Sequence, residues 1–212
     1  MMTNVSGQSG SLWVTVHKSR KLNGAESVMS VCNQKCAFKS FCYSEHLQAF
    51  QKYSRNRAEL NCVALKQSPS TFVEPKFNSE IVRWFSMGSC NGDRNTLLNV
   101  MTSIHMNQQS KHAIWVEPHY WLMANELLNP TEVNIIYSNK ELDSIKQIEG
   151  RVTFNLASSH DKCNSLLKEN HNAIRCNRQC NVCGWYCYKQ PEGIVVEIVN
   201  TKHGGVDNYG KV

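Results

Sequence analysis

No apolar run in this chain approaches the length of a membrane span, and residues 1–30 lack the basic-then-apolar pattern of a signal peptide. The first absence argues against a membrane partner. Together they point to a cytoplasmic protein, in which cysteines are reduced or metal-bound. Charge of one sign is also scarce. A net +6 over 212 residues permits a nucleic acid partner, but a scatter of surface Lys and Arg explains it as well. Disulfides are not required, because 212 residues make one ordinary domain, with or without a small appendage, and bury a core of their own.

What is present in quantity is cysteine, ten residues of it. Four fall in the run Cys176-Asn-Arg-Gln-Cys180-Asn-Val-Cys183-Gly-Trp-Tyr-Cys187. Two thiolates separated by two residues can grip one metal through a tight turn. Gly184 behind the second lets the backbone turn under the sulfur. Thiolates at this density suit zinc or iron–sulfur rather than hard cations. A pair of disulfides and packed reduced thiols are the plainer readings of the same run. A second group, Cys32, Cys36 and Cys42, is odd in number for a closed tetrahedral site. Three thiolates can hold a four-iron cluster (4Fe-4S) and leave one iron open. Alternatively, one of them completes a site with the terminal run, or all three are ordinary buried thiols.

The rest of the chain reads as α/β. A loose polar tail covers residues 1–10, and Ser11–Val16 suits a strand. Residues 17–31 are polar and basic, with a turn at Asn23-Gly24. A helix begins near Tyr43, where Tyr43, Leu47, Phe50 and Tyr53 recur at helical spacing. Strands are then predicted at 80–87, 112–117, 132–138, 151–157 and 194–199. Helices are predicted at 95–107, 120–128, 140–149 and 161–169. This alternation implies repeated βα units forming a partial barrel or an open parallel sheet. The organisation expected is a βα core over 11–170 carrying the N-terminal cysteine loop. A segment over 171–212 follows, with the cysteine-rich metal-binding run and the last strand.

In such folds the loops after the strands carry function. Those loops hold Gly88 to Asp93, Glu117 with His119, Tyr137 to Asn139, and Ser158 to Asp161. Ser138, Ser159 and Asp161 suit helix N-caps as well as ligand contacts, and Asp93 can cap the helix that follows it.

The layout resembles the radical S-adenosylmethionine enzymes, whose three-cysteine loop follows the first strand of a βα partial barrel. Cys32-x3-Cys36 and the aromatic Phe41 before Cys42 match that loop, while the second gap is five residues instead of two. Gly92-Asp93 is the nearest equivalent of the turn that holds the cofactor's methionine end. The resemblance implies a 4Fe-4S cluster on Cys32, Cys36 and Cys42, with Gly92, Asp93 and Ser138 touching S-adenosylmethionine. The chain is also similar to a family of phage proteins named for mycobacteriophage gene product eighty-eight. The matching features are the Cys32…Cys36…Cys42-Tyr43 opening, Arg57 and Asn61 in the next helix, Gly92-Asp93, and the Cys176…Cys187 run before Lys202-His203. That similarity implies a phage origin, hence the cytoplasm of an infected cell, and a metal-binding domain without a specified activity.

Two functions follow as expectations. The first is an iron–sulfur or zinc protein with a radical S-adenosylmethionine-like core, its substrate and catalytic residues unassigned. The second is a non-catalytic, metal-stapled protein. Its basic surface, including Arg55, Arg57, Arg175 and Arg178, contacts nucleic acid or a host or phage protein. Arg175 and Arg178 bracket Cys176 and could screen the thiolates instead. Trp185, Tyr186 and Tyr188 could stack on bases or shield the metal.

Overall fold

The computed structural model describes residues 12–18, 25–31, 52–86, 88–90, 92–177, 180, 182–184 and 186–199. The expected tail over 1–10, the turn at 23–24, the helix start near Tyr43 and the Lys202-His203 pair lie outside them. Eight strands form one open sheet: β1 (Val16–Lys18), β2 (Glu26–Val28), β3 (Ile81–Trp84), β4 (Lys111–Val116), β5 (Val133–Leu142), β6 (Val152–Ala157), β7 (Ala173–Cys176) and β8 (Gly193–Ile198). Their order is β1-β2-β3-β4-β5-β6-β8-β7. Only the β1–β2 pairing is antiparallel. The protein is therefore α/β with a mostly parallel sheet.

Helices α1 (Lys52–Leu65), α2 (Arg94–His105), α3 (Trp121–Leu127) and α4 (His160–Glu169) connect strands, and a short α5 (Tyr186–Lys189) precedes β8. From β2 to β7 every connection steps the same way along the sheet. Right-handed crossovers then put all those connections on one face. The packing agrees. Val82, Trp84, Ile114, Val116 and Ile135 meet Leu65, Leu97, Val100, Ile104 and Ala124, and further along Ala157, Ile194 and Val196 meet Cys163 and Leu166. The step from β7 to β8 runs backward, so its connection belongs on the opposite face. That connection is the cysteine run.

Most of the predicted elements are found within a few residues. Two strands were not anticipated. In β2, Glu26 is a poor strand former, yet its buried carboxylate accepts from the Asn78 and Ser79 amides at 2.6 and 3.1 Å. The strand leading to Cys32 is therefore 26–28, not 11–16, among whose described residues only Val16 is strand. In β7, four residues gain strand pairing only by lying beside β8. The helix expected over 140–149 is absent. There β5 runs on to Leu142, and Asn139 accepts from the Glu141 amide and donates to Ser144 O and Asn155 Oδ1. Asp143, at φ 56, accepts from Ser158 N and Oγ at 2.7 and 2.6 Å. These side chains satisfy backbone groups that a helix would otherwise pair. No helix among the described residues is long and apolar enough to cross a membrane.

One buried polar pair makes stability pH-dependent. Trp84 Nε1 donates to His112 Nδ1 at 3.3 Å, and His112 Nε2 bonds Asn107 O at 3.0 Å. The network requires the neutral ring with its proton on Nε2. Burial lowers the pKa of His112 below its ordinary value, and the same cause, joined by Arg57, lowers that of His17. As pH falls through about 6.5 the unfolded chain takes up protons that the folded chain refuses, so stability is lost below that pH. One such group steepens the loss by at most about 1.4 kcal/mol per pH unit. Thermal melts between pH 8 and 5 should show a decline that is shallower in His112→Gln; equal slopes in the two proteins would refute the assignment.

Candidate metal centre

Cys176 ends β7 and lies directly across from Glu197 of β8, both on the face opposite the long helices. From there the run crosses that face. Cys180 and Cys187 are half-buried and Cys183 is exposed; all four are free thiols. The Cys183 thiol lies 3.3 Å from Cys180 O, and Gly184 has φ 69, the left-handed conformation expected behind a CxxC pair. Asn134 Nδ2 of β5 donates to Cys187 O at 3.1 Å and to Gln190 O at 2.6 Å, which pins α5 to the sheet. Tyr188 is buried edge-on against Trp115, with ring centroids 5.7 Å apart. Tyr186 lies against the turn before β8, its hydroxyl 3.4 Å from Glu192 O. Both tyrosines are thus held against the sheet or the turn before β8, and Trp185 and Arg178 lie outside the described residues.

The thiols share one electrostatic environment. Burial, then Cys176, Cys180 and Cys183, push the Cys187 pKa up, while Arg83 pulls it down. Burial and Cys183 raise Cys180, and Arg83 opposes them. Among the described residues no three His, Cys, Asp or Glu side chains are set as a closed metal-binding group. The four sulfurs are thus gathered on one segment without being closed around a point. As a donor set, four thiols around a CxxC turn fit zinc or an iron–sulfur cluster.

Arg175 does not supply the screening that its place in the sequence suggested. Alternation along β7 turns it to the helix face, where its Nη2 meets His160 Nδ1 at 2.9 Å. A cation on the thiol side is Arg83, which lies inside the buried strand expected over 80–87. Its guanidinium carbon stands 4.1 Å from the centroid of the Trp115 ring. The only available signal was a charged residue inside an apolar four-residue strand.

The N-terminal cysteines Cys32, Cys36 and Cys42 lie outside the described residues. The approach to them is described. Ser86 N donates to Val28 O at 3.1 Å and Ser89 N to Val31 O at 3.3 Å, so the loop after β3 lies along the chain that leads into Cys32. Gly88, at φ 84, packs so closely that a Cβ there would overlap the Ser30 carbonyl. Gly92 sits against the Tyr120 ring. Asp93 is the N-cap of α2, its Oδ1 accepting from Thr96 N and Thr96 Oγ1 at 2.7 and 2.8 Å. Ser138 is half-buried on the thiol-side face of β5, paired in register with Phe154, with no helix to cap. Ser159 does cap its helix, accepting from Lys162 N. Cys90 is buried in the loop after β3, its thiol pushed up to about 11 by burial, with Glu117 and Asp93 adding to the shift. Near it Glu117, buried at the end of β4, holds His119 Nε2 at 3.2 Å and Lys140 Nζ at 3.4 Å.

Compared with family models, curated proteins and solved structures, the chain matches none.

The site must accordingly be read from its own chemistry. Two features converge on one side of the sheet. A thiol-rich crossover covers the start of β5 through Asn134 and reaches Trp115, toward the far end of β4, through Tyr188. Half-buried Trp115, Ser138 and Phe154 extend along the same face toward the strand ends where Glu117 and Lys140 meet. The loops that lead to Cys32 and that follow β3 lie at those same ends.

Proposed function

We propose that the protein is a metal–thiolate protein with a radical S-adenosylmethionine-type core, built on its open, mostly parallel sheet. The observation that carries the reading is the one-way strand order from β2 to β6. It makes β2 and β3 neighbours, so the segment entering Cys32 and the loop ending at Gly92 lie side by side, as a cluster and its cofactor would require. Cys32, Cys36 and Cys42 would hold a 4Fe-4S cluster. Such a cluster supplies an electron to S-adenosylmethionine bound at its open iron. Gly92 lets the loop backbone come close, and Ser138 offers a hydroxyl on the adjoining face. Asp93 contributes by holding the start of α2. Cys176, Cys180, Cys183 and Cys187 would hold zinc or a second cluster. The resemblance of the cysteine spacings, Arg57, Asn61, Gly92-Asp93 and Lys202-His203 to the phage family would make its setting the cytoplasm of an infected cell.

A second reading is favoured by the commitment of Asp93 to its cap. In it the metal only staples the crossover, and the surface binds nucleic acid or a protein. Anaerobic purification followed by iron, zinc and sulfide analysis separates the two. A brown protein with sulfide, which binds S-adenosylmethionine in calorimetric titration, fits the first. A colourless protein with stoichiometric zinc and no binding rejects it in favour of the second.

A further inference from the structure

We propose that the indole N–H of Trp115 donates a hydrogen bond to the terminal thiolate centre, which makes Trp115 a positioning residue for the metal that Cys176, Cys180, Cys183 and Cys187 would hold. The inference rests on the reading that those cysteines bind metal, and goes beyond it by naming a donor that lies outside the run.

The observation that carries it is an orphaned polar atom. Trp115 Nε1 is buried and has no hydrogen-bond partner among the described residues. A buried N–H left without an acceptor is costly, so native structures keep few of them, and each calls for a reason. The ring is fixed in place. Its neighbours Ile114 and Val116 turn to the helices, so Trp115 stands on the thiol side of the sheet. Arg83 lies over its face, with the guanidinium carbon 4.1 Å from the centroid. Phe154 and Tyr188 meet it edge-on, at 6.3 and 5.7 Å between centroids.

The chain that comes to this ring is the thiol run. Trp115 packs on the cluster of Ala113, Ile136 and Tyr188, and so do Cys176, Cys180 and Cys187. Tyr188, which meets the ring, is the residue after Cys187. Asn134 pins the run here, its Nδ2 donating to Cys187 O at 3.1 Å. The Tyr186 hydroxyl is turned to Glu192 O, 3.4 Å away. Four thiolates around a divalent ion carry two net negative charges, and such sulfurs are stabilised by N–H groups that face them. Sulfurs closed around a metal would supply the acceptor that the indole lacks.

Phenylalanine keeps an aromatic ring and drops the donor, so Trp115→Phe separates the hydrogen bond from the packing. The chain has five tryptophans, and the Trp115 indole proton is the nitrogen-correlated NMR resonance that disappears in this variant. In the wild-type chain, zinc should move that resonance downfield and slow its exchange with water. Zinc affinity, measured by competition with a chromophoric chelator, should be about tenfold weaker in Trp115→Phe. With cobalt the four-thiolate spectrum should persist in the variant. Its sulfur-to-metal charge-transfer band should move to lower energy, because a sulfur relieved of a hydrogen bond gives up an electron more easily. A merely structural role would leave that band in place. Tyr188→Phe is the control: it removes the neighbouring hydroxyl and should leave the zinc-induced indole shift intact.

Equal zinc affinity or an unmoved cobalt band in Trp115→Phe overturns the proposal, and so does loss of the indole shift in Tyr188→Phe. If Trp115→Phe does not fold, the resonance is assigned from its contacts with Phe154 and Tyr188, and its response to zinc decides. A wild type that binds no zinc or cobalt defeats the underlying reading, and the inference with it. A wild type that binds metal while its indole resonance stays put defeats the inference alone.

Discussion

Cys180→Ser with Cys183→Ser is expected to strip the metal from the terminal run and loosen the crossover that carries it. A structural metal in a small finger supplies most of the folding free energy. Here the sheet has its own core on the helix face, built around Trp84, Leu97, Ile104 and Ile114, so the loss should be local. What comes free is the segment between β7 and β8. That segment buries Tyr188 against Trp115 and receives two hydrogen bonds from Asn134. Losing one buried aromatic and two hydrogen bonds amounts to about 3 kcal/mol. For a chain of this size Tm should fall by about 10 °C. Hydrogen exchange should rise in α5 and stay low in β4. Cys163→Ala is the control: that thiol is buried among Leu166, Ile194 and Ile198 on the helix face, and its loss should leave the metal content whole. A double variant that keeps full metal and full Tm would show that the run is an ordinary thiol cluster.

The parts of this architecture legible in the sequence were those with a strong period. The alternation of apolar runs over 80–128 predicted β3, α2, β4 and α3, because each buries a face wide enough to leave a pattern. What escaped was decided by neighbours. Glu26 looks like a loop residue until the amides of Asn78 and Ser79 are seen on its carboxylate. The 140–149 stretch has helix-forming Lys, Glu, Leu and Ile, yet Asn139 and Asp143 tie it down as strand and turn. Asn61 is another such tie. Buried in α1, it accepts from Thr15 N and donates to Thr15 O and Met29 O, joining the helix to the residues flanking β1 and β2. Local pattern carries no information about partners 15 or more residues away.

The site divides along the same line. The cysteine spacings stand out in the sequence because thiols four residues or fewer apart need no tertiary information to be grouped. Which face they occupy depends on the backward step from β7 to β8, and nothing in the run encodes that step. Arg83 and Glu197 belong to strands far apart in the chain, and only the sheet brings them to the thiol side.

The remaining large effect concerns Gly88, where the loop after β3 meets the chain entering Cys32. A side chain at Gly88 would face two penalties. Its φ of 84 lies in the region that costs L-residues about 1 kcal/mol or more. Its Cβ would also overlap the carbonyl group of Ser30, which is backbone and cannot rotate aside. Gly184 supplies the comparison, because it has φ 69 but nothing within 4 Å of a Cβ. Gly184→Ala should therefore cost only the conformational term, about 1 kcal/mol, or about 3 °C in Tm. Gly88→Ala should cost about 3 kcal/mol or more, since the backbone of one loop must move. The direction of that movement matters for function. Separating the two loops breaks the Ser89 N to Val31 O bond and carries Gly92 away from the residues that follow β2. On the radical S-adenosylmethionine reading, Gly88→Ala should lose cofactor binding and iron while the terminal run keeps its metal. Gly184→Ala should keep cofactor binding. Equal Tm values for the two alanine variants would mean that the Ser30–Gly88 contact does not exist in solution. A destabilised Gly88→Ala that still binds the cofactor at wild-type affinity would break the link between this contact and the cluster site.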